Sequence, residues 1–151
     1  MFVCTFFVGE NINMEKYVNL LYELALKSYN QDDVPVGCII LKDNKLLASG
    51  YNTRHSLSIV TGHAEINAIN EASKKLGDWR TNECIMITTL KPCKMCYEVI
   101  EASRIQKVYY LLDQENGTEY PEDKYVKLSL ENNLIVQKYK QLLKNFFKKM
   151  R

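Results

Sequence analysis

At 151 residues the chain is one domain's worth of sequence, and its 46% apolar and 25% charged residues exclude the disordered, collagen-like and disulfide-scaffold classes. No run approaches the roughly 18 apolar residues of a membrane span, and the apolar opening Met1–Val8 lacks the basic flank, length and cleavage site of a signal peptide. The formal net charge of +2 hides an asymmetry, because residues 138–151 carry six bases and no acid, leaving 14 bases against 18 acids elsewhere.

Residues 14–29 are predicted as a helix, with Tyr17, Val18, Leu21, Leu24 and Ala25 at 3–4 spacing and Asn13 available as its cap. The apolar run Val36–Leu41, the turn pair Asp43-Asn44 and the run Leu46–Tyr51 read as a two-stranded hairpin. A second helix is expected over residues 63–76, with Thr61 as candidate cap and Gly77 just past its end. Cys84–Thr89 alternates and is β-rich, hence a third strand, and Pro92 suits the first position of a third helix reaching Ala102. Val108–Leu112 is a fourth strand. Residues 113–133 are polar, with Gly117 and Pro121, and read as an irregular connection. Leu134–Val136 is expected as a short fifth strand. The basic segment after it reads as a terminal helix, buried along Tyr139, Leu142, Leu143, Phe146, Phe147 and Met150. Strands alternating with helices argue for an α/β sheet covered by helices. The six bases of the last helix suit a polyanionic partner, but they equally describe a solvated helix face, and charge alone favours the latter.

The chemistry is concentrated in two short motifs, His63-Ala64-Glu65 and Pro92-Cys93-Lys94-Met95-Cys96. The five cysteines are odd in number and two of them form a C-x-x-C, which points to a reducing cytoplasm with thiols used as ligands. Residues three apart on a helix point the same way, and a helix N-terminus favours thiolate. Cys93 and Cys96 therefore make a soft bidentate site suited to Zn²⁺. A closed structural site needs a fourth protein ligand, yet Cys4 lies in the leader and Cys38 and Cys84 lie within strands. His63 with the two thiolates leaves one position for water, the pattern of a catalytic centre. Glu65, two residues on, does not share a helix face with His63. It fits a general base that takes the water proton and returns it to a leaving group. Alone, a C-x-x-C is also a redox pair and a His-x-Glu is also a surface accident. Jointly they match the zinc-deaminase signature H-x-E…P-C-x-x-C.

On these residues, and on Asp33-Val-Pro-Val-Gly37, Gly50-Tyr-Asn52, Thr61-Gly-His-Ala-Glu65, Gly77-Asp-Trp-Arg80, Thr88–Cys93, Ser103-Arg-Ile105 and Phe146–Arg151, the chain resembles the bacterial tRNA-specific adenosine deaminases of the cytidine-deaminase-like superfamily. The resemblance runs from Met14 to Arg151. It implies a three-layer α/β/α fold with a mixed sheet of about five strands, and a cytoplasmic homodimer that holds a tRNA anticodon stem-loop and converts the wobble adenosine to inosine. It implies one zinc per chain on His63, Cys93 and Cys96, with Glu65 as proton shuttle. It further implies Asn52 as the residue bonding the purine, with Val36 and Pro92 in the pocket wall; from spacing alone, Asn52 reads as a turn residue. Residues 14–151 are expected to form a single zinc deaminase domain. Residues 1–13 precede the resemblance and read as an N-terminal extension, either untranslated before a natural start at Met14 or a short frayed segment.

The chain departs from the family pattern at Lys91, usually Glu, at Tyr97-Glu98, usually small, and at the acidic stretch 113–123. An acidic loop beside an RNA channel repels phosphate. A second reading therefore keeps the deaminase chemistry and changes the substrate to a free base, nucleoside or nucleotide of guanine, cytosine or cytidine type. A third, a non-catalytic zinc-containing RNA-binding relative, has no use for Glu65.

Overall fold

The computed structural model describes residues 14–114, 118–130 and 132–151. The extension 1–13, with Cys4 and the Asn13 cap, lies outside the described residues, as do positions 115–117 of the acidic loop. Helix α1 spans Met14–Asn30 and buries the expected stripe of Tyr17, Val18, Leu21, Leu24 and Ala25. Strands β1 (Gly37–Lys42) and β2 (Lys45–Tyr51) form the predicted hairpin. Its two turn residues, Asp43 and Asn44, have φ of 51° and 61°, a left-handed pair that matches the twist of the flanking strands. Helix α2 (Ala64–Leu76) ends at Gly77, whose φ of 68° lets the Gly77 and Asp78 amides bond back to Lys74 and Ser73. Strand β3 (Cys84–Leu90), helix α3 (Lys94–Ser103) and strand β4 (Lys107–Leu112) follow.

The five-stranded sheet has the order β2-β1-β3-β4-β5, with β5 at Tyr125–Lys127. β1 is antiparallel to both neighbours, whereas β3, β4 and β5 run parallel, so the sheet is mixed. Side chains alternate across it as a two-residue period requires. Cys38, Ile40, Met86 and Val108 pack with α2 and α3, while Ile39, Leu41, Ile87 and Tyr109 pack with α1 and the last helix, α4 (Leu134–Lys149). These are the three expected layers. α2 lies so close to β2 that a Cβ on Gly50 would sit 2.5 Å from the Ala64 carbonyl oxygen. Among the described residues, no helix is long and apolar enough to cross a membrane.

Two expectations fail here. Leu134–Val136 is not a strand but the first turn of α4, because the Asn133 side chain accepts from the Ile135 and Val136 amides at 2.8 and 3.2 Å. That cap extends the Val136, Tyr139, Leu142, Phe146 stripe backwards by a turn. The fifth strand lies instead inside the supposed irregular connection, where three residues of β5 pair with β4 and are too few to show alternation. The buried side of α4 is also narrower than expected. Tyr139, Leu142 and Phe146 are buried, but Phe147 and Met150 are 48% and 54% exposed. Helix starts shift as well: His63 and Cys93 are themselves the N-caps of α2 and α3, so Thr61 lies two residues and Pro92 one residue before the respective cap.

Candidate active site

The parallel strands β3 and β4 end at one edge of the sheet, where β1 begins and β2 ends. Side chains around that edge converge, as expected at the carboxyl ends of parallel strands. His63 and Cys93, both in extended conformation as N-caps, bring the first turns of α2 and α3 together. Neither uses its side chain to cap its helix, so imidazole and thiol turn to each other. His63 Nδ1 lies 3.5 Å from Cys93 Sγ and 3.3 Å from Cys96 Sγ. The three ligand atoms fall within 4.8 Å of one another. With Zn–S near 2.3 Å and Zn–N near 2.0–2.1 Å, a tetrahedral site needs N···S separations of about 3.6 Å. The donor set therefore fits zinc in both chemistry and spacing, with Nδ1 as the nitrogen ligand.

The protonation pattern supports this. The Cys96 thiol donates to Cys93 and, with His63, holds the Cys93 thiol down at about 4, well below its usual range. Cys96 is correspondingly pushed up by that bond, by burial and by Glu65. His63 is raised, chiefly through its bond to Cys93. The cluster is thus a thiolate sharing protons with a thiol and an imidazole, a charge pattern that a dication replaces. Glu65 is 4% exposed, and burial lifts its carboxyl to about 7. It stands beside the three-ligand group without being part of it.

Asn52 reaches the same place by another route. Its Oδ1 accepts the Ala64 amide at 2.7 Å, and its Nδ2 donates to the Val34 carbonyl at 2.9 Å. It therefore supplies, from the residue just after β2, the capping bond that His63 does not make. Val36, Asn52, His63, Glu65 and Cys93 line a cavity of about 610 Å³, within the range of small-molecule sites. Pro92 is buried but is not among the lining residues; its carbonyl accepts from the Tyr120 hydroxyl at 2.7 Å. Arg54 and His55 line the cavity on one side, and Leu90, Phe147 and Met150 also line it.

A second cavity of about 1030 Å³ shares Val34, Leu90, Gln114, Phe147 and Met150 with the first. Its other lining residues include Lys140, Lys144, Lys148 and Arg151. These four make no ion pair among the described residues, whereas Lys149 is committed to Asp32 at 2.8 Å. The acidic stretch reaches this groove, among the described residues, only through Asp113 and Gln114, and Asp113 is paired with Lys127 at 2.9 Å. Lys91, Tyr97 and Tyr120 line neither cavity.

A model of the cytidine and deoxycytidylate deaminase zinc-binding region matches residues 12–112. The chain belongs to this deaminase family. It is 31% identical over 144 residues to the tRNA-specific adenosine deaminase of Aquifex aeolicus, covering 91% of this chain and 95% of that one. It is 38% identical over 86 residues, 57% of this chain, to that of Streptococcus pyogenes, and spans about half (54%) of that relative's length. The guanine deaminase of Bacillus subtilis is 32% identical over 109 residues, covering 72% of this chain and 70% of that one. A solved chain from a study of A-to-I editing by tRNA:A34 deaminases superposes with a TM-score of 0.67 at 26% identity, over 76% of this chain and 98% of its own.

In this zinc deaminase fold, the structure brings together the sequence-named His63, Cys93 and Cys96 as possible metal ligands and places Glu65 in the same cavity, but sequence reasoning missed the cavity wall formed by Leu90, Phe147 and Met150. The signal for the last two was the Phe146–Arg151 ending, read as core because its spacing continues the buried stripe of α4.

Proposed function

We propose that the chain is a hydrolytic deaminase that converts adenosine to inosine at the wobble position of a tRNA anticodon. His63 through Nδ1, with Cys93 and Cys96, would hold one zinc ion. When bound, zinc acts as a Lewis acid that makes water a competent nucleophile at neutral pH. Glu65 takes a proton from the attacking water and delivers it to the departing amino group. A carboxyl held near 7 is matched to that exchange. The C6–N bond breaks, a C6–O bond forms and ammonia leaves. Val36 offers apolar contact to the purine from within the cavity. Asn52, with one N–H and one lone pair left after its two backbone bonds, faces the base edge. Pro92 lies outside this wall and bears on it only by fixing the backbone before Cys93.

The observation that carries the reading is the groove of Lys140, Lys144, Lys148 and Arg151, continuous with the cavity through five shared residues. A free base has no phosphates to meet these cations. A base turned out of a single-stranded loop has neighbours on both sides. The similarity to the Aquifex tRNA-specific adenosine deaminase supports the same substrate. We take residues 14–151 as one catalytic domain working in the cytoplasm, where Cys38, Cys84, Cys93 and Cys96 stay reduced. We take it to act as a homodimer; the exposed Leu57, Ile59 and Val60 of the β2–α2 connection are apolar surface available to a second copy.

The second reading, deamination of a free purine, is favoured by the similarity to the Bacillus guanine deaminase. The test is to incubate zinc-loaded protein with an anticodon stem-loop bearing wobble adenosine and to read the position by reverse transcription. Complete A-to-G conversion there, with other loop adenosines untouched, is the expected result. No conversion, alongside ammonia release from guanine, overturns the RNA reading.

A further inference from the structure

The departures at Lys91, Tyr97 and the segment after β4 form one assembly. Gln114 Nε2 donates to the Lys91 carbonyl at 2.7 Å, and Lys91 Nζ donates to the Thr118 carbonyl at 2.6 Å. The Tyr120 hydroxyl donates to the Pro92 carbonyl at 2.7 Å. The Tyr120 ring stacks on Tyr97 with centroids 4.3 Å apart and planes 9° from parallel, and Lys91 Nζ lies 5.3 Å from the centroid of the same ring. Tyr125 closes the cluster and is anchored through its hydroxyl to Glu101 at 2.7 Å.

Tyr120 therefore grips the metal-binding turn at both ends. Its hydroxyl holds the residue before Cys93, and its ring holds the residue after Cys96. The Pro92 carbonyl lies in the same rigid peptide plane as the Cys93 amide, so fixing that oxygen fixes the rotation of the peptide leading into Cys93. The Gln114 bond fixes the preceding carbonyl. Tyr120, Tyr97 and Lys91 line neither of the two cavities described above.

We propose that Tyr120, with Lys91 and Tyr97, is a positioning brace that sets how firmly the Cys93–Cys96 turn retains zinc. The proposal rests on His63, Cys93 and Cys96 being the zinc ligands. Removing groups that orient metal ligands typically weakens binding ~10–100-fold. Tyr120 acts one residue away through backbone, so the lower end applies.

The experiment measures zinc release from the loaded protein to a chromogenic chelator, together with the visible spectrum of the cobalt-loaded form. Tyr120→Phe keeps the ring stack and removes the hydroxyl's bonds to the Pro92 carbonyl and to the Thr118 side chain. It is expected to release zinc about 10-fold faster and to shift the cobalt bands. Tyr125→Phe breaks a hydroxyl bond in the same cluster that leads to Glu101 instead, and is expected to release zinc at the wild-type rate. Should Tyr120→Phe fail to fold, Lys91→Met, which removes the bond to Thr118, is expected to speed release in the same direction. Wild-type release rates in Tyr120→Phe, or equal acceleration by Tyr125→Phe, overturn the brace while leaving the ligand assignment standing. A wild-type protein that takes up no zinc overturns both.

Discussion

Replacing Asn52 with alanine separates two roles that the residue combines. The side chain accepts from the Ala64 amide at 2.7 Å and donates to the Val34 carbonyl at 2.9 Å. Ala64 is fully buried and opens α2, so water does not reach the amide that Asn52→Ala leaves unpaired. A buried donor without a partner costs about 1–3 kcal/mol, and the second bond is worth about 1 kcal/mol, giving a loss of about 2–4 kcal/mol. At roughly 2–4 °C per kcal/mol for a chain of this size, Tm falls by about 5–15 °C. Asn52→Asp keeps the acceptor for Ala64 and places a negative charge at a helix N-terminus, where it is favoured. It also turns the donor facing Val34 into an acceptor, so about half of the loss returns. Calorimetry on zinc-loaded protein reads both variants against wild type. An Asn52→Ala protein that melts within 1 °C of wild type while turnover alone collapses would refute the reasoning, making Asn52 a substrate contact and nothing more.

Cys93→Ala or Cys96→Ala is expected to abolish the one-to-one zinc content measured by metal analysis and to lower Tm, since metal binding is coupled to folding. Glu65→Gln is expected to keep its zinc and lose ~10²–10⁴-fold in ammonia release, as for removal of a general acid–base group; loss of the metal in this variant would mean that Glu65 is a ligand. Neutralising Lys140, Lys144, Lys148 and Arg151 together is expected to flatten the log–log salt dependence of stem-loop binding by about 3, at ~0.7–0.9 per phosphate contact. Neutralising Lys149, which is held by Asp32, is expected to leave that slope unchanged.

Much of the site was legible because its chemistry is local. His63, Glu65, Cys93 and Cys96 stand in two motifs of three to five residues, each at a helix start, and a metal site tolerates little else at those spacings. The hairpin was legible from two apolar runs around the Asp43-Asn44 turn, and β3 from its two-residue alternation. What escaped depends on contacts distant in sequence. The two hydrogen bonds of Asn52, to Val34 and from Ala64, span 18 and 12 residues and leave no local pattern. β5 is three residues long and exists because β4 offers it an edge. Lys91 and Tyr97 looked like substrate-altering departures when taken singly. Their partners Thr118 and Tyr120 lie more than 20 residues away, and Tyr120 ties the group to the turn through the Pro92 carbonyl. Phe147 and Met150 kept helical spacing with buried residues, and periodicity does not tell a core wall from a cavity wall.

The central claim is that this zinc site acts on a base held within RNA. The most direct measurement compares kcat/KM for an anticodon stem-loop with wobble adenosine against free adenosine, cytidine and guanine, on one zinc-loaded preparation. Flanking phosphates supply binding energy that can be spent at the reacting centre, and the expected result is a preference for the stem-loop of at least about 10³-fold, as four lost contacts of about 1 kcal/mol each would give. A higher kcat/KM for guanine or any other free compound would contradict the account.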